Sequence, residues 1–586
     1  MNKIEIIRHS LAHILAYAVQ ELFPAATEGE PRQGRGVKFG IGPAIENGFY
    51  YDFLFKNPLT PNDLPKIEEK MRELIKKGFS FEKKEISKKE AEKLFSDQPY
   101  KLELIAELPE NKITTYKSGD FVDLCAGPHV KSAKEIPVDG FKLNEIAGAY
   151  WRGSEINQML TRIYGLAFET EKELADYLKM QEEAEKRDHR ILGQKLDLFT
   201  FSEMVGSGLP LFTPKGALVR QLLNDYVEKL QSKAGYTQVW TPQISKAELF
   251  KTSGHYEKYK ESMFRVLSNF SKEEFFLKPM NCPQHTQIYA SRMRSYRDLP
   301  LRYSDFSMLY RDEKPGELNG LARVRAFSQD DCHIFCREDQ VDKEIDVALT
   351  MTKEIMTSFG FKYHYRLSTR DQKHPEKYIG DPKIWEKVEK WAEKIMERNK
   401  VEYFPGPGEA AFYAPKMDLI ATDALGRDWQ LSTIQIDFFM PERFNLTYID
   451  KTGQKKRPVM LHRAIIGSPE RFIMILLEHY AGAFPLWLSP VQIWVIPIAD
   501  KHNKYAQKVG EELKENSLRI ELKDENETVS KKIRNGELQK IPYLLVVGDK
   551  EMKNKSVRVR AKNKDLGEIK LTKFVEKARA EIEKKK

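Results

Sequence analysis

Between Arg302 and Cys336 the chain gathers side chains suited to holding a charged ligand. Leu309-Tyr-Arg-Asp-Glu313 is followed by a glycine-containing loop and then by Arg323-Val-Arg-Ala-Phe-Ser-Gln-Asp-Asp-Cys-His-Ile-Phe-Cys336. If both flanks are strands, the two-residue period puts Arg311 with Glu313 on one face, and Arg323, Arg325, Gln329, Asp331 and His333 on one face. The opposite face carries Cys332, Ile334 and Cys336, which suits a core, so these two cysteines read as structural. Packing does not explain two antiparallel strands whose inward faces hold Arg, Glu, Gln, Asp and His, because each unpaired buried charge costs on the order of several kcal/mol. A polar ligand is required.

Other reactive groups recur along the chain. His9-Ser-Leu-Ala-His13 sets two imidazoles at i and i+4 on one helix face, and Asp123-Leu-Cys-Ala-Gly-Pro-His129 adds Asp123, Cys125 and His129. On ligand types alone this group suits zinc as well as the positioning of a water. Gly467-Ser-Pro-Glu-Arg471 opens an apolar helix, Phe472 to Leu477; alone, such a Glu-Arg pair is an ordinary surface feature. Cys282 in Met280-Asn-Cys-Pro283, His333, and His462 in His462-Arg463 lie too far apart for spacing to imply a metal.

These groups must be carried by several domains, because 586 residues exceed one core and a prior of roughly 150 residues per domain gives three or four units. Leu11, Ile14, Leu15 and Val19 recur at helical spacing from Arg8 to Leu22, and Phe23-Pro24 closes the segment. From Lys38 to Val130, runs such as Gly48-Phe-Tyr-Tyr-Asp-Phe53 alternate with charged helical stretches, an α+β module. A charged helix from about Glu169 to Leu192 has little to bury and reads as a connector. Aromatic-rich strands follow to about Trp487, with a helix Lys215 to Lys233 carrying Leu218, Leu222, Tyr226 and Leu230 on one side. After Pro490, strands at Val491 to Ile496, Leu518 to Leu522 and Tyr543 to Val547 alternate with helices and end in a basic helix, a small α/β domain.

Composition sets outer limits. Apolar residues make up 41% and charged residues 31%, enough for real cores beneath a mixed-charge surface. The net charge of +9 is compatible with a polyanionic partner without identifying one. Four cysteines in so long a chain argue for a reducing compartment rather than a disulfide framework. The apolar start is interrupted by His9, Ser10, His13 and Gln20, unlike a signal peptide, and no run approaches the roughly 20 apolar residues of a membrane span. The cytoplasm is the expected location.

The Arg311/Glu313 pair resembles motif 2 of the class II aminoacyl-tRNA synthetases, where an Arg-x-Glu pair holds the α-phosphate and adenine of ATP. Gly467 to Arg471 resembles motif 3, whose arginine contacts the γ-phosphate. The helix ending near Lys233 with Gly235-Tyr-Thr-Gln-Val-Trp-Thr-Pro242 resembles motif 1, which implies a homodimer. The resemblance implies ATP with Mg²⁺ as substrate, with Arg323 or Arg325 and Lys416, in Phe412-Tyr-Ala-Pro-Lys-Met-Asp418, as further phosphate contacts; the lesser alternative for Lys416 is an ordinary solvated lysine.

Within class II the chain resembles the threonyl-tRNA synthetase family, bacterial type, over nearly its whole length. That implies one zinc per subunit on Cys282, His333 and His462, and substrate contacts from Met280, Arg323, Gln329, Asp331, Tyr413 and Gln435. Three protein ligands leave the metal room for a threonine amino and hydroxyl group. A site demanding a hydroxyl rejects valine but excludes serine poorly, so editing is needed. The resemblance assigns it to His9, His13, Asp123, Cys125 and His129, with Lys101 added, and tRNA(Thr) anticodon reading to Asn526, Arg534, Glu551 and Arg560. The implied fold is multidomain α+β and α/β: an α+β editing domain at 1–168, a helical linker at 169–195, an antiparallel-sheet catalytic domain at 196–487 and an α/β anticodon-binding domain at 488–586. Two residues depart from the family pattern, Ala126 where arginine is common and Gln284 where glycine follows Asn-Cys-Pro. The family's small ubiquitin-like N-terminal domain is expected to be missing. The rival readings are a prolyl or seryl type of synthetase, which leaves Cys282, His333 and His462 unexplained, and a non-catalytic tRNA-binding relative, against which Arg311, Glu313 and Arg471 speak.

Overall fold

A computed structural model describes residues 2–23, 36–109 and 112–585. The chain divides into two compact units, Met1–Glu182 and Glu183–Lys586.

The first unit is built on helix Lys3–Leu22. The Asn2 side chain accepts the Glu5 N–H while the Glu5 carboxylate accepts the Asn2 N–H, both at 2.9 Å, a reciprocal cap that contributes about 1 kcal/mol. Its buried stripe, Ile7, Leu11, Ile14, Leu15 and Val19, joins one core with Phe49, Tyr51 and Phe53. Those aromatics lie on Gly48–Leu54, in an antiparallel sheet ordered Lys38–Phe39, Gly48–Leu54, Met159–Ala167, Phe141–Tyr150, with Ala44–Ile45 also paired to Gly48–Leu54. Arg8 is buried and ties helix to sheet by donating to the Ala167 carbonyl at 3.0 Å. A second sheet, Phe81–Ile86, Ile113–Ser118 and Phe121–Leu124, delivers the chain directly to Cys125. Pro24, expected to close the first helix, lies outside the described residues; the helix ends at Leu22, where the Phe23 N–H still reaches the Val19 carbonyl at 2.9 Å.

The second unit holds an eight-stranded sheet ordered Thr237–Gln238, Leu301–Asp305, Asp331–Cys336, Val459–Ala464, Asp428–Asp437, Lys416–Thr422, Lys362–Thr369, Tyr403–Pro407. All pairings are antiparallel except the outermost on each side. Helices Pro214–Lys233, Val341–Phe359 and Pro469–His479 share a core with one sheet face, where Cys332, Ile334 and Cys336 are fully buried as expected of structural cysteines. A second sheet of mixed direction follows, ordered Ile520–Leu522, Ile493–Pro497, Tyr543–Val547, Ser556–Ala561, Lys564–Lys570, with helices Asn503–Glu515, Val529–Leu538 and Leu571–Glu583.

Four expectations are corrected. The connector is two helices, Glu171–Lys186 and His189–Lys195; the second is capped by Asp188, whose side chain accepts the Arg190 N–H. Helix Pro214–Lys233 buries Val219, Leu223, Tyr226, Val227 and Leu230, a stripe turned by one residue from the expected one, so Leu218 and Leu222 are only partly covered. The last domain has an additional hairpin, Ser556–Ala561 with Lys564–Lys570. The two strands expected around Arg311 and Arg323 are short: Met308–Tyr310 pairs with Ala326–Ser328, so Arg311, Glu313, Arg323 and Arg325 lie outside both, while Asp331 and His333 belong to the separate strand Asp331–Cys336.

Candidate functional site

In antiparallel register His333 stands opposite His462, and His462 opposite Gln435, so three adjacent strands present these side chains on one face. Cys282 enters from the first residue of helix Cys282–Ala290. The Cys282 Sγ and one nitrogen of each histidine lie within 4.8 Å of one another, all buried. Two neighbours complete the arrangement. His285, one helical turn beyond Cys282, places Nδ1 2.7 Å from His333 Nδ1, and Asp437 takes His462 Nε2 at 3.0 Å. Sequence reasoning passed over both, although His285 is three residues after Cys282 and Asp437 two after Gln435, each on the matching face.

Asp437 places the His462 proton on Nε2, and Asp305, 3.6 Å from His285 Nε2, favours the His285 proton there, which leaves His285 Nδ1 to accept from His333. With His462 Nε2–H donating to Asp437 and His333 Nδ1–H to His285, the lone pairs of His333 Nε2 and His462 Nδ1 face each other at 3.0 Å, a contact that a shared cation relieves. Burial holds the His333 imidazole neutral, the form that ligates a metal, and pushes the Cys282 thiol well up, so a bound cation is what would draw off the thiol proton. The donor set fits a metal. Tyr413 donates its hydroxyl to Gln435 at 2.8 Å, and Asp331, its carboxyl raised by burial, has an oxygen 3.7 Å from His333 Nε2. Met280 is partly buried beside Cys282 in the same apolar cluster. Gln284, the departure beside Cys282, donates to the Pro242 carbonyl and to Ser245 Oγ, both at 2.8 Å, and so pins this helix to the segment after Trp240.

Next to this centre is a cavity of about 380 Å³ lined by Arg311, Glu313, Arg323, Phe327, Gln329 and Arg471 among others. The Arg311 guanidinium lies over the Phe327 ring at 5.1 Å, and Arg323 pairs with Glu313 at 2.8 Å. Burial, then Arg311 and Arg323, lower the affinity of Arg471 for its proton; three crowded guanidinium groups are a receptor for a polyanion. Arg325 is not in the lining. It donates to the Glu313 carbonyl at 3.0 and 2.8 Å and fastens the loop. Lys416 also lies outside the lining, paired with Asp418 at 3.1 Å.

The first unit collects His9, His13, Cys125 and His129, with one ligand atom of each within 4.8 Å of the others. Cys125 Sγ is 3.3 Å from both His9 Nε2 and His129 Nε2. Asp123 is buried, with Lys101 Nζ at 2.5 Å and the Tyr51 hydroxyl at 2.6 Å, and His13 Nε2 lies 3.8 Å away. Tyr51 and Ser10, which contacts His129 Nδ1 at 3.2 Å, were not singled out in the sequence. His13 Nδ1 is buried without a partner. Lys101 and Asp123 also line a cavity of about 360 Å³. Ala126 is exposed.

The four residues expected to read an anticodon are not brought together. Arg534 and Arg560 line a groove of about 930 Å³ with Lys540, Lys562 and Asn563. Glu551 is buried and its carboxylate accepts the Gly548 N–H at 3.0 Å, so it closes a helix start, while Asn526 is exposed on a loop outside the groove lining.

Comparison with known proteins matches three segments of the chain. Residues 113–164 match the threonyl and alanyl tRNA synthetase second additional domain, 264–480 the class II core domain of tRNA synthetases (G, H, P, S and T), and 492–581 an anticodon binding domain. The threonine–tRNA ligase of Rubrobacter xylanophilus is 48% identical over 98% of this chain and 89% of its own length, and that of a Sulfurihydrogenibium species 49% identical over 100% and 89%. A solved structure described as the RNA binding domain of threonyl-tRNA synthetase from Cryptosporidium parvum superposes with a TM-score of 0.64 at 38% identity, over 67% of this chain and 98% of that one. Among the described residues no helix is long and apolar enough to cross a membrane.

Proposed function

The chain belongs to the threonine–tRNA ligase family, an enzyme that joins threonine to tRNA with ATP and carries an editing domain, and we propose that Cys282, His333 and His462 hold a zinc ion that selects the amino acid. When bound, such an ion supplies vacant coordination positions for the amino and hydroxyl groups of threonine, which valine cannot fill. His285 and Asp437 orient the two imidazoles, and Asp331, Tyr413, Gln435, Met280 and Gln329 enclose the substrate.

The carboxylate of threonine attacks the α-phosphate of ATP, releasing pyrophosphate and leaving threonyl-adenylate. The chain's contribution is alignment and neutralisation of spreading negative charge. Arg311 takes the α-phosphate, Arg471 the γ-phosphate, Glu313 the adenine, and Arg323 a further phosphate oxygen, with Mg²⁺ accompanying the nucleotide. Lys416 is assigned to the catalytic region through its place on the strand beside Gln435, its partner Asp418 holding it until substrate arrives. The terminal adenosine of tRNA(Thr) then accepts the threonyl group.

Serine satisfies the same amino and hydroxyl test, so seryl-tRNA(Thr) is cleared in the N-terminal unit. Burial raises the Cys125 thiol to about 11, so at neutral pH it is a thiol and not a nucleophile. His9, His13 and His129 stay neutral and position a water, with Lys101 and Asp123 setting the floor of the site. Arg534 and Arg560 supply the cationic groove for the anticodon loop, with Asn526 and Glu551 in supporting places. The domains follow the boundaries 1–168, 169–195, 196–487 and 488–586, and two copies associate through the segment Gly235 to Pro242, where Trp240 is 74% exposed. Synthesis of aminoacyl-tRNA in this form belongs to the cytoplasm.

The observation that carries this reading is the convergence of Cys282, His333 and His462 beside a cavity lined by Arg311, Arg323 and Arg471. Exchange of pyrophosphate into ATP, assayed with each amino acid in turn, tests it. Threonine is expected to support exchange, serine weakly, and valine not at all; exchange driven by another amino acid, or by none, overturns it.

A further inference from the structure

The loop Asn319–Arg323 forms one wall of the arginine-lined cavity through Leu321, Ala322 and Arg323. It is held from both ends of a single helix, Pro469–His479. Near the helix start, Arg471 donates Nε–H to the Ala322 carbonyl at 3.0 Å. Near its end, the Glu478 carboxylate accepts the backbone N–H of His189 at 3.1 Å and lies 2.7 Å from His189 Nδ1. His189 in turn offers Nε2 to the Leu321 N–H at 3.0 Å.

His189, Leu321 and Glu478 are all buried. Because Nε2 accepts a backbone N–H, its lone pair is in use and the proton sits on Nδ1, facing Glu478; the two partners select one neutral tautomer. Asp188, His189 and Glu478 have the composition of a metal group, yet both ring nitrogens are occupied by these contacts and no lone pair remains. The ring also needs the glycine beside Leu321. A Cβ on Gly320 would come within 2.0 Å of His189 Nε2, and its φ of +46° suits glycine.

We propose that His189 is a positioning residue for the nucleotide. It fixes the Asn319–Arg323 loop where Arg323 meets Glu313 and Ala322 meets Arg471, although helix His189–Lys195 contributes no side chain to the cavity lining. The inference rests on reading that cavity as the ATP site.

Pyrophosphate exchange by the full chain tests it, with ATP varied at saturating threonine and threonine varied at saturating ATP. His189→Asn keeps an amide donor for Glu478 but does not reach Leu321, and is expected to raise KM for ATP about five- to tenfold, the scale of one hydrogen bond, with KM for threonine within about twofold. His189→Gln, whose side-chain oxygen reaches the place of Nε2, is expected to recover most of that loss. Arg471→Ala reports on the cavity itself: if it leaves ATP use unaltered, the cavity reading and the inference fall together. If Arg471→Ala weakens ATP use while His189→Asn leaves KM for ATP unchanged, or shifts both KM values equally along with a lowered Tm, the positioning role alone is overturned.

Discussion

His462 Nε2 lies 3.0 Å from Asp437 Oδ2, and the Asp437 side chain is fully buried. The carboxylate leaves Nδ1 of the same ring as the free lone pair, turned toward His333. Asp437→Ala is therefore expected to weaken metal binding about 10- to 100-fold, the usual effect of removing an outer partner of a ligating histidine. Competition with a chelator measures it; unaltered affinity would show that the imidazole needs no such orientation.

His9 and His13 lie in a different compact unit from Cys282, His333 and His462. Replacing His9 and His13 together with alanine should leave threonine charging within about twofold and let seryl-tRNA accumulate, because water positioning of this kind contributes roughly 10² to 10⁴ in rate. Deacylation of preformed seryl-tRNA is the assay. Clearance at the original rate would move the site elsewhere.

Acid should loosen the same unit. Burial holds His9, His13 and His129 below the ordinary imidazole value of 6.5, with neighbouring rings adding to the effect on His13 and His129. In the unfolded chain each histidine takes up a proton near 6.5 that the folded unit refuses, so this contribution to stability is present above that pH and is lost as pH falls below it. Hydrogen exchange in helix Lys3–Leu22, corrected for the intrinsic rate, should accelerate between pH 7 and pH 5, and His13→Asn should reduce the slope. A profile flat in pH contradicts the account.

Asp330 carries the turn that opens the motif 3 helix. Its carboxylate accepts the N–H groups of Ile465 at 2.7 Å and Gly467 at 2.9 Å, and Arg463 Nη1 lies 3.8 Å away with both side chains fully buried. Asp330→Ala leaves those N–H donors unsatisfied and removes the carboxylate beside the buried guanidinium, which keeps the Tyr236 ring at 4.5 Å, a loss of about 3–5 kcal/mol. Denaturant unfolding of the full chain should show the catalytic core's transition moved to lower denaturant; a shift worth under about 1 kcal/mol would mean that the Arg463 charge finds another partner.

Much of this was legible in the chain because local periods declare themselves. Helix Lys3–Leu22 follows from apolar residues at 3.6-residue spacing, and the core side of Asp331–Cys336 from Cys332, Ile334 and Cys336 at spacing two. The break at Asp188 was hidden because a polar segment has no apolar period to interrupt. The hairpin Ser556–Lys570 was readable in principle, since Val557 and Val559 alternate with charges and Lys562 and Asn563 take positive φ at its turn. The cluster of Cys282, His333 and His462 was recoverable only through family resemblance. No local rule says that strands carrying His333 and His462, 129 residues apart, are neighbours in register. For the anticodon residues the sequence offered chemistry without placement: Arg534 and Arg560 share one groove, whereas Glu551 is buried and accepts the Gly548 N–H at 3.0 Å.

The most direct measurement is metal content and threonine-dependent pyrophosphate exchange on the same preparation of the parent chain and of Cys282→Ala. The account predicts about one zinc per parent chain, and in the variant the loss of that zinc together with a fall of at least about 10³ in threonine activation. A variant that keeps its zinc, or a zinc-free protein that still activates threonine and rejects valine, would contradict it.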